Sequence, residues 1–380
     1  MKKICVMSVF GTRPEAVKMC PLALELEERA EIDSIVTLTG QHREMLRSVM
    51  TEFGVRADFD LDIMRPGQTP SGIMAEVLTR LDAVLNETSP DMVLVHGDTT
   101  TSTAAAMAAF HRRIPVGHVE AGLRTYNKYS PFPEEMNRTI TSRIASLHFA
   151  PTERNRDNLT AEGIDTDTVY VTGNTVIDAF RYTVRDGYGF DAPELRSLDF
   201  SRGRYITLTA HRRENHGAGI AEICRAAIEL TEKFPDVTVV YPVHPSPDVR
   251  GTVYTMLAGR ERIILTEPLC VTDMHNLIAR SYLVLTDSGG IQEEAPSLGA
   301  PVLVLRRETE RPEAVVAGCV RVIGVECDGI VRAASLLLDD AAERAKMTGG
   351  RNPYGDGNAS MRIADAIISY FHKNKGETEK

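Results

Sequence analysis

Short apolar runs alternate with segments of helical periodicity from one end of the chain to the other. The runs are ICVMSVF, SIVTLTG, MVLVHG, PVGHV, LHFAP and TVYVTGN in the first half, and YITLTAH, VTVVYPVH, RIILTEP, YLVLTD, PVLVLR and VRVIG in the second. Runs that stay apolar without alternation are typical of strands in a parallel sheet that helices cover on both faces. Because helical segments lie between the runs, the pattern predicts an α/β fold with two Rossmann-like halves, each built on a parallel sheet.

One stretch breaks this rhythm near the middle of the chain. Residues 186–203, DGYGFDAPELRSLDFSRG, contain several glycines, aspartates and a proline, and we interpret them as a linker. A length of 380 residues also exceeds that of most single domains. We therefore expect an N-terminal domain over residues 1–175 and a C-terminal domain over residues 176–360, followed by a final helical segment with a polar tail.

Composition and charge narrow the classes of function. The hydrophobic content of 43% and the charged content of 25% are ordinary for a soluble globular protein, and the formal net charge of −10 argues against a nucleic-acid-binding protein. Six cysteines lie singly, without a CxxC pair or a histidine cluster at zinc spacing, which favours reduced thiols in the cytoplasm and no bound metal. The start, MKKICVMSVF, reads as a first strand rather than a signal peptide, and no segment has the roughly 18 apolar residues of a membrane helix.

Charged side chains follow the predicted strands of the first half, at the edge where open parallel sheets bind ligands. They are Arg13 and Lys18 after ICVMSVF, Asp98 after MVLVHG, Glu120 after PVGHV, and Glu134 and Arg138 in SPFPEEMNR. Taken singly, Asp98 reads as a helix N-cap, and Glu134 with Arg138 as a pair one turn apart on an exposed helix. Glutamate is a poor N-cap, so Glu120 favours a functional role. Three carboxylates with arginines at one edge indicate a site.

In the second half, polar side chains again follow successive strands. His211 and Arg212 come after YITLTA, His244 ends VTVVYPVH, and Glu267 lies in RIILTEP. Any one histidine is more often a structural residue than a ligand. Successive strand ends that carry polar groups favour a site.

The stretch YLVLTDSGGIQEEAPSLG suggests what this second edge binds. Ser288, Gly289 and Gly290 would begin a helix and expose backbone N–H groups to an anion, and Glu294 could accept hydrogen bonds from sugar hydroxyls. A diphosphate joined to a ribose meets both demands. The chain has no GxxxxGK[ST] motif and no GxGxxG after the first strand, which weakens nucleoside-triphosphate chemistry and a tightly held dinucleotide as alternatives.

Together these motifs closely resemble the non-hydrolysing UDP-N-acetylglucosamine 2-epimerases. The matching strings are GTRPEAVK, VHGDTTT, PVGHVEAGLRT, SPFPEEMNR, HFAPT, VTGNTVIDA, AHRREN, YPVH, TDSGGIQEEAPSLGAPVLVLR, ERPEAV and NPYGDG, in order along nearly the whole chain. The resemblance implies a fold like the two-domain GT-B glycosyltransferases, with the active site in the interdomain cleft, a C-terminal UDP-binding domain, and a last helix, residues 361–380, that packs back on the first domain. It also implies a cytoplasmic homodimer that makes UDP-N-acetylmannosamine for surface polysaccharides, without cofactor or metal.

The resemblance assigns roles to residues by motif. As catalytic residues it implies Asp98, Glu120, Glu134 and His211. As substrate-binding residues it implies Arg13, Lys18, Arg138, Ser288, Gly289, Gly290, Glu294 and Arg311. Which carboxylate acts on which face of the sugar stays open.

Bacterial members of this family often bind a second UDP-N-acetylglucosamine as an activator, and the match at that site is incomplete. Gln41, Arg212 and His244 are in place, whereas Glu44 and Gly67 stand where a glutamine and, in some members, an arginine are expected. Met274 likewise stands where many members have an aromatic ring, so a thioether would contact the uracil there.

The reaction implied by the resemblance explains why anion-binding groups and carboxylates occur together. The C2 hydrogen of N-acetylglucosamine is not adjacent to a carbonyl, so UDP must leave C1 before or while a carboxylate removes that hydrogen. Three alternatives stay open: a hydrolysing relative that releases N-acetylmannosamine, a GT-B glycosyltransferase with the same nucleotide site, and a sugar-nucleotide sensor without turnover.

Overall fold

The computed structural model describes residues 3–40, 43–65, 67–309, 311–350 and 352–378. The chain forms two compact units, which we call unit 1 (Met1–Tyr182 and Tyr354–Lys380) and unit 2 (Thr183–Pro353). The units divide after Tyr182 and after Pro353, whereas the sequence analysis placed the divisions after residues 175 and 360.

Unit 1 is built on a parallel sheet. Its strands are β1 (Ile4–Phe10), β2 (Ile32–Leu38), β3 (Phe59–Asp60), β4 (Met92–His96), β5 (Val116–Val119), β6 (Leu147–Ala150) and β7 (Val169–Val171). In space they follow the order β3-β2-β1-β4-β5-β6-β7, and each neighbouring pair is parallel. The order reverses between β1 and β4, and such a switch point opens a crevice at the carboxyl ends of the strands.

The helices of unit 1 connect these strands, and the last one returns from the C-terminal end of the chain. They are α1 (Arg13–Glu28), α2 (Arg43–Phe53), α3 (Pro70–Thr88), α4 (Thr100–His111), α5 (Glu134–Ile144), α6 (Glu153–Ala161), α7 (Thr175–Asp178) and α17 (Ala359–Thr378), with α8 (Phe180–Thr183) at the boundary. Helix α17 packs on α1 and α7. Its first backbone N–H groups, of Ala359 and Ser360, donate to the buried carboxylate of Asp178 over 3.2 and 2.7 Å, which ties this segment to unit 1.

Unit 2 repeats the architecture. Its strands are β8 (Arg204–Thr209), β9 (Val237–Pro242), β10 (Ile263–Thr266), β11 (Leu283–Thr286), β12 (Val302–Val304) and β13 (Val320–Val322), and its helices are α9 (Pro193–Arg196), α10 (Ala218–Lys233), α11 (Pro247–Leu257), α12 (Val271–Ala279), α13 (Gly289–Glu294), α14 (Pro312–Val316), α15 (Cys327–Asp339) and α16 (Ala341–Thr348). The parallel strands follow the order β10-β9-β8-β11-β12-β13, with the switch point between β8 and β11. Two parallel sheets with connecting helices confirm the predicted α/β class.

Each unit buries its own apolar core because its strands are apolar on both faces. In unit 1, Met7 and Val9 of β1 and Val93 and Val95 of β4 are almost fully buried with alanines of α4. In unit 2, strands β8, β9 and β11 pack with α10 and α15 in the same way. Across the described ranges, every helix falls short of the length and apolarity needed to cross a membrane.

The stretch 186–203 is not a linker, and that interpretation was wrong. It lies inside unit 2, where Phe190 and Leu195 are buried in an aromatic cluster with Tyr205. Asp273 of α12 accepts hydrogen bonds from Tyr188 Oη at 2.8 Å and from the backbone N–H of Asp191 at 3.0 Å. Glycine and proline punctuate this segment, but its aromatic side chains bury it.

Candidate functional site

The buried carboxylate of Glu15 joins the two turns that flank the switch point of unit 1. Its Oε2 accepts from the backbone N–H groups of Gly11 and Thr12 at 2.9 and 2.8 Å, which completes a capping box at the start of α1. Its Oε1 accepts from the hydroxyls of Thr99 and Ser102 at 2.7 and 2.9 Å, at the start of α4. The turns after β1 and β4 are therefore held in one fixed arrangement.

Glu120 follows β5 and is placed by an unusual backbone conformation. Its φ is +61°, in the left-handed region that residues other than glycine seldom occupy. Its carboxylate forms an ion pair with Lys18 and accepts from Asn174 Nδ2 at 3.0 Å. A Cβ at Gly97, whose φ is +62°, would lie 3.3 Å from Glu120 Oε2, so glycine at that turn lets the carboxylate approach. A residue with a strained backbone whose carboxylate pairs with a lysine at a strand exit is typical of a functional site.

A buried imidazole lies on the other side of this carboxylate. His96 Nε2 lies 3.5 Å from Glu120 Oε2. Burial lowers the pKa of His96, and the positive charge of Lys18 lowers it as well, although Glu120 raises it. The neutral imidazole therefore leaves Lys18 as the cation that faces Glu120.

Asp98 and Arg138 meet beside this cluster. The Arg138 guanidinium, itself 9% exposed, binds the Asp98 carboxylate and also Glu135 at 3.1 Å. Glu135 in turn accepts from the backbone N–H groups of Thr125 and Tyr126 at 3.0 and 2.8 Å, which fastens the loop before α5. The N-cap of α4 is Thr99 rather than Asp98, so the interpretation of Asp98 as a helix N-cap is wrong.

The interpretation of Glu134 and Arg138 as an ion pair one turn apart on an exposed helix is also wrong. The side-chain hydrogen bonds of Arg138 go to Asp98 and Glu135. The Oε2 atom of Glu134 is buried and has no hydrogen-bond partner among the described residues. A buried carboxylate oxygen without a partner is costly unless a ligand supplies the missing donor.

In unit 2, the residue after β11 organises the strand exit. Asp287 is fully buried, and its Oδ2 accepts from the backbone N–H groups of His211 and Arg212 at 2.8 Å each and from Asn215 Nδ2 at 2.9 Å. The His211 Nδ1 atom lies 3.3 Å from Asp287 Oδ1. The His211 ring stacks on the His244 ring with centroids 5.1 Å apart and an interplanar angle of 12°.

Two guanidinium groups converge on the amino end of α13. A Cβ at Gly289 would lie 3.7 Å from an Arg212 nitrogen and 3.8 Å from the Arg311 guanidinium. Arg311 is held by an ion pair with buried Glu293. The first N–H groups of a helix have no acceptor within the helix, and cations beside such amide donors are typical of anion-binding sites.

Ser288 contributes differently from the expectation. Its backbone N–H donates to Thr286 Oγ1 at 2.9 Å, so this group is not exposed to a ligand as predicted. The N–H groups of Gly289 and Gly290 occupy the first two positions of α13. The predicted anion-binding groups at this turn are therefore the backbone N–H groups of Gly289 and Gly290 and the side chain of Ser288.

Glu294, the predicted ribose ligand, lies near a histidine of α12. Its Oε2 is 3.6 Å from His275 Nε2, and His275 Nδ1 lies 2.8 Å from Thr183 Oγ1. Met274, which stands where many members of the resembled family have an aromatic ring, is partly buried against the cluster around Phe190. Arg13 is half-buried at the first position of α1, and Gln41 lies outside the described residues.

Within the part of the chain that the structure describes, one trio of side chains comes within metal-binding distance. The ligand atoms of Asp191, Cys270 and Asp273 lie within 4.8 Å of one another. Both oxygens of Asp273 already accept hydrogen bonds, from Tyr188 and from the backbone N–H groups of Asp191 and Ala192. These bonds show that Asp273 fastens residues 188–192 to α12, which accounts for the cluster.

The sequence analysis missed the supporting carboxylates Glu15, Glu135 and Asp287. Each is adjacent to, or within one helical turn of, a predicted site residue, and each accepts hydrogen bonds from backbone N–H groups. The signal that could have found them is that each is an acidic residue inside one of the quoted motifs, close to a residue already assigned to the site.

Comparisons with known proteins agree with these motifs. The sequence model of the family described as UDP-N-acetylglucosamine 2-epimerase matches residues 24–368. A UDP-N-acetylglucosamine 2-epimerase of Bacillus subtilis (strain 168) is 52% identical over 379 residues, which cover 100% of this chain and 99% of the relative. The crystal structure of UDP-GlcNAc 2-epimerase from Neisseria meningitidis bound to UDP-GlcNAc is similar with a TM-score of 0.86 and 46% identity, covering 96% of this chain and 100% of that one.

A more distant structure extends the likeness of fold. A glycotransferase of kitacinnamycin has a TM-score of 0.67 at 15% identity, over 97% of this chain and 99% of its own, and this likeness concerns the fold alone. It agrees with the predicted GT-B-like fold. The match of the family along most of the chain and the identity to relatives over nearly their full length establish the family. The chain belongs to the UDP-N-acetylglucosamine 2-epimerase family, is an isomerase, and fits the non-hydrolysing type.

Proposed function

We propose that this protein catalyses the reversible epimerisation at C2 of UDP-N-acetylglucosamine to UDP-N-acetylmannosamine by elimination and re-addition of UDP. The observation that carries the proposal is that cations and amide donors suited to a diphosphate lie in unit 2, whereas carboxylates suited to proton transfer lie in unit 1. Unit 2 gathers Arg212, Arg311 and the glycine amides of α13. Unit 1 holds Asp98 and Glu120 with their cations Arg138 and Lys18, and Glu134 with a buried oxygen that has no hydrogen-bond partner among the described residues.

The diphosphate is the ligand that suits the anion-binding site of unit 2. As the C1–O bond breaks, the electron pair of that bond goes to the β-phosphate of UDP, where negative charge accumulates. Hydrogen bonds to charged groups contribute about 1.5 to 3 kcal/mol each, so several converging donors lower the barrier substantially. We assign this role to His211, Arg311 and the N–H groups of Gly289 and Gly290, with Ser288 and Arg13 as further phosphate ligands, and the ribose to Glu294.

The carboxylates of unit 1 suit the second half of the reaction. Loss of UDP leaves positive charge at C1 and makes the C2 hydrogen acidic. A carboxylate among Asp98, Glu120 and Glu134 takes that proton, the C2–H electron pair forms the C1–C2 double bond, and 2-acetamidoglucal results. Protonation of C2 from the other face and attack of UDP on C1 reverse both bond changes and give the C2 epimer, with Lys18 and Arg138 positioning the acids.

Further properties come to this chain from its resemblance to the family. We propose that it acts as a cytoplasmic homodimer and supplies UDP-N-acetylmannosamine for surface polysaccharide synthesis. We also propose a second UDP-N-acetylglucosamine as an activator, with His244 among its ligands together with Arg212, whose guanidinium also borders the amino end of α13. His244 stacks on His211, which gives an activator near His244 a direct route to the leaving-group site. Gln41 completes the proposed activator residues.

Solvent labelling tests the reaction. Incubation with UDP-N-acetylglucosamine in deuterated water is expected to place deuterium at C2 of both epimers, because the proton returned to C2 has exchanged with solvent. Glu120→Gln is expected to slow label incorporation by about 10²-fold or more, because the amide cannot accept the proton. Glu76→Gln on α3, whose partly exposed carboxylate pairs with Arg80, is the matched control and should label at the wild-type rate. Mass spectrometry and NMR at C2 measure the label.

The same incubation separates the alternatives. Stoichiometric accumulation of UDP with free N-acetylmannosamine indicates the hydrolysing reaction. Sugar transfer to an added acceptor without label at C2 indicates a glycosyltransferase. Tight binding of the sugar nucleotide without label or turnover indicates a sensor and overturns the proposal.

A further inference from the structure

The two oxygens of the Asp287 carboxylate have different environments. Oδ2 accepts three hydrogen bonds, from the backbone N–H groups of His211 and Arg212 and from Asn215 Nδ2. Oδ1 is buried, has no hydrogen-bond partner among the described residues, and lies 3.3 Å from His211 Nδ1. Three donors on one oxygen prevent rotation of the carboxylate, so the second oxygen is held against the imidazole.

The surroundings of His211 leave one ring nitrogen for the ligand. Its ring stacks on His244 from β9, and its carbonyl oxygen lies 3.1 Å from His216 Nε2. The charged and titratable groups around it are Asp287 at the end of β11, His244, and Arg212 and His216 on its own segment. Burial lowers the pKa of His211 most, and the negative charge of Asp287 raises it. With Nδ1 against Asp287 and one ring face against His244, Nε2 is the atom left for a substrate.

We propose that Asp287 is a positioning residue that keeps the His211 Nδ1 protonated, so that Nε2 is the nitrogen that gains, holds and releases a proton beside the leaving diphosphate. An Nδ1–H faces Asp287 Oδ1 across 3.3 Å, and an imidazolium formed by protonation of Nε2 is stabilised by the negative charge of the same carboxylate. This inference deepens the proposed function and rests on it for the identity of the ligand at Nε2. It assigns Asp287 no contact with substrate.

Asp287→Asn distinguishes this role from a structural one. The three donors require an oxygen at the Oδ2 position, so the new amide NH₂ must take the Oδ1 position and face His211 Nδ1. Two donors cannot share a hydrogen bond, so Nδ1 must lose its proton and accept. Neutral His211 then carries its proton on Nε2, and the imidazolium loses the charge that stabilised it.

The experiment reads the tautomer and the pH profile of the full-length enzyme. In wild type, ¹⁵N NMR of labelled histidines is expected to show the neutral His211 protonated at Nδ1, with the resonance assigned by its loss in His211→Asn. In Asp287→Asn the neutral form is expected to carry its proton on Nε2, and the pKa of His211 is expected to fall by about 1 pH unit or more. The rate of epimerisation is expected to fall by about 10²-fold, with the His211 limb of its pH profile moved to lower pH.

Asp273→Asn is the matched control. Asp273 is also buried in unit 2 and accepts from Tyr188 Oη and two backbone N–H groups, but not from an imidazole. It should alter stability and leave both the His211 tautomer and the pH profile unchanged. Circular dichroism and UDP binding establish that both variants are folded.

Two results overturn the inference. One is a wild-type neutral His211 that carries its proton on Nε2, which needs no variant at all. The other is a folded Asp287→Asn protein with an unchanged tautomer and pH profile. Because the NMR measurement does not require turnover, a protein that fails to epimerise the sugar nucleotide but shows the expected tautomers would refute the proposed function and leave the histidine–aspartate pair intact.

Discussion

Two carboxylates of unit 1, those of Glu15 and Glu134, differ in the hydrogen-bond donors that surround them. Glu15 is surrounded by two backbone N–H groups and two hydroxyls, so all its hydrogen-bonding capacity is used within the protein. Glu134 keeps a buried oxygen without a partner among the described residues. Glu15 holds the framework because both of its oxygens are bonded within the protein, and we propose that the unused oxygen of Glu134 meets a ligand.

Replacement of Glu15 tests this distinction at the level of one side chain. Glu15→Ala would leave two buried N–H groups and two hydroxyls without their acceptor, and we expect the free energy of unfolding to fall by about 3 kcal/mol or more. Glu15→Gln should cost less, because the hydroxyls of Thr99 and Ser102 can rotate to accept from the amide. Urea unfolding followed by circular dichroism measures both.

The control for this prediction lies on the same helix. Glu25 pairs with Arg29 at the carboxyl end of α1, where both side chains are partly open to water and an ion pair contributes little. Glu25→Ala should change the free energy of unfolding by less than about 1 kcal/mol. Equal effects of Glu15→Ala and Glu25→Ala would contradict the role assigned to Glu15.

At the scale of elements, close packing between α6 and the loop after β5 positions the strand exit that carries Glu120. Gly122 has φ +91°, and a Cβ there would lie 2.2 Å from the carbonyl oxygen of Asn155 in α6. Asn155 is fixed by a capping box with Thr152, so α6 cannot shift easily to make room. The approach of this helix to the loop after β5 therefore depends on a missing side chain.

Gly122→Ala is expected to destabilise unit 1 strongly. The left-handed backbone costs a non-glycine residue about 1 to 2 kcal/mol, and the overlap with Asn155 adds to this, so the total should exceed about 3 kcal/mol. Gly163→Ala is the control, since φ there is +79° and a Cβ would meet nothing within 4 Å. It should show the backbone cost alone in thermal or urea unfolding. A Gly122→Ala protein as stable as Gly163→Ala would refute the packing argument.

At the scale of the whole molecule, the buried histidines make the stability of unit 1 depend on pH. Burial lowers the pKa values of His96, His118 and His148, that of His118 to about 3. The unfolded chain binds protons at these imidazoles below pH of about 6.5, while the folded unit does not. Their contribution to stability is therefore complete above pH of about 6.5 and is lost as the pH falls towards the folded-state pKa values.

The expected slope can be measured and assigned. Each histidine that stays neutral in the fold lowers the free energy of unfolding by about 1.4 kcal/mol per pH unit below 6.5. His118→Gln should reduce the slope between pH 6.5 and 4.5 by about that amount, because one such group is removed. His111→Gln, at an exposed position of α4, should leave the slope as in wild type. Identical slopes for wild type and His118→Gln would show that His118 titrates alike in both states.

Some features of this protein were readable from sequence because they depend on local patterns. The apolar runs predicted the parallel strands except the two-residue β3, and the motifs at strand ends placed Asp98, Glu120 and His211 just after β4, β5 and β8. The segment 186–203 was misread because glycine and proline dominate a local reading, whereas its burial depends on Asp273 and Leu277, which are distant in sequence. The acceptor of the Ser288 N–H is local, since Thr286 lies two residues earlier, and its hydroxyl was not recognised as a partner for that group.

The amino-acid sequence settled the order of elements, the family and the chemical types at each strand exit, since periodicity and contiguous motifs need no partner from elsewhere. The pairing of those groups was decided only by the tertiary structure. Lys18 meets Glu120 across 102 positions, Arg138 meets Asp98 across 40, and His211 meets Asp287 across 76. Such pairs arise because parallel strands bring their carboxyl ends to one edge of a sheet, and the order of the strands, rather than distance along the chain, determines which side chains become neighbours.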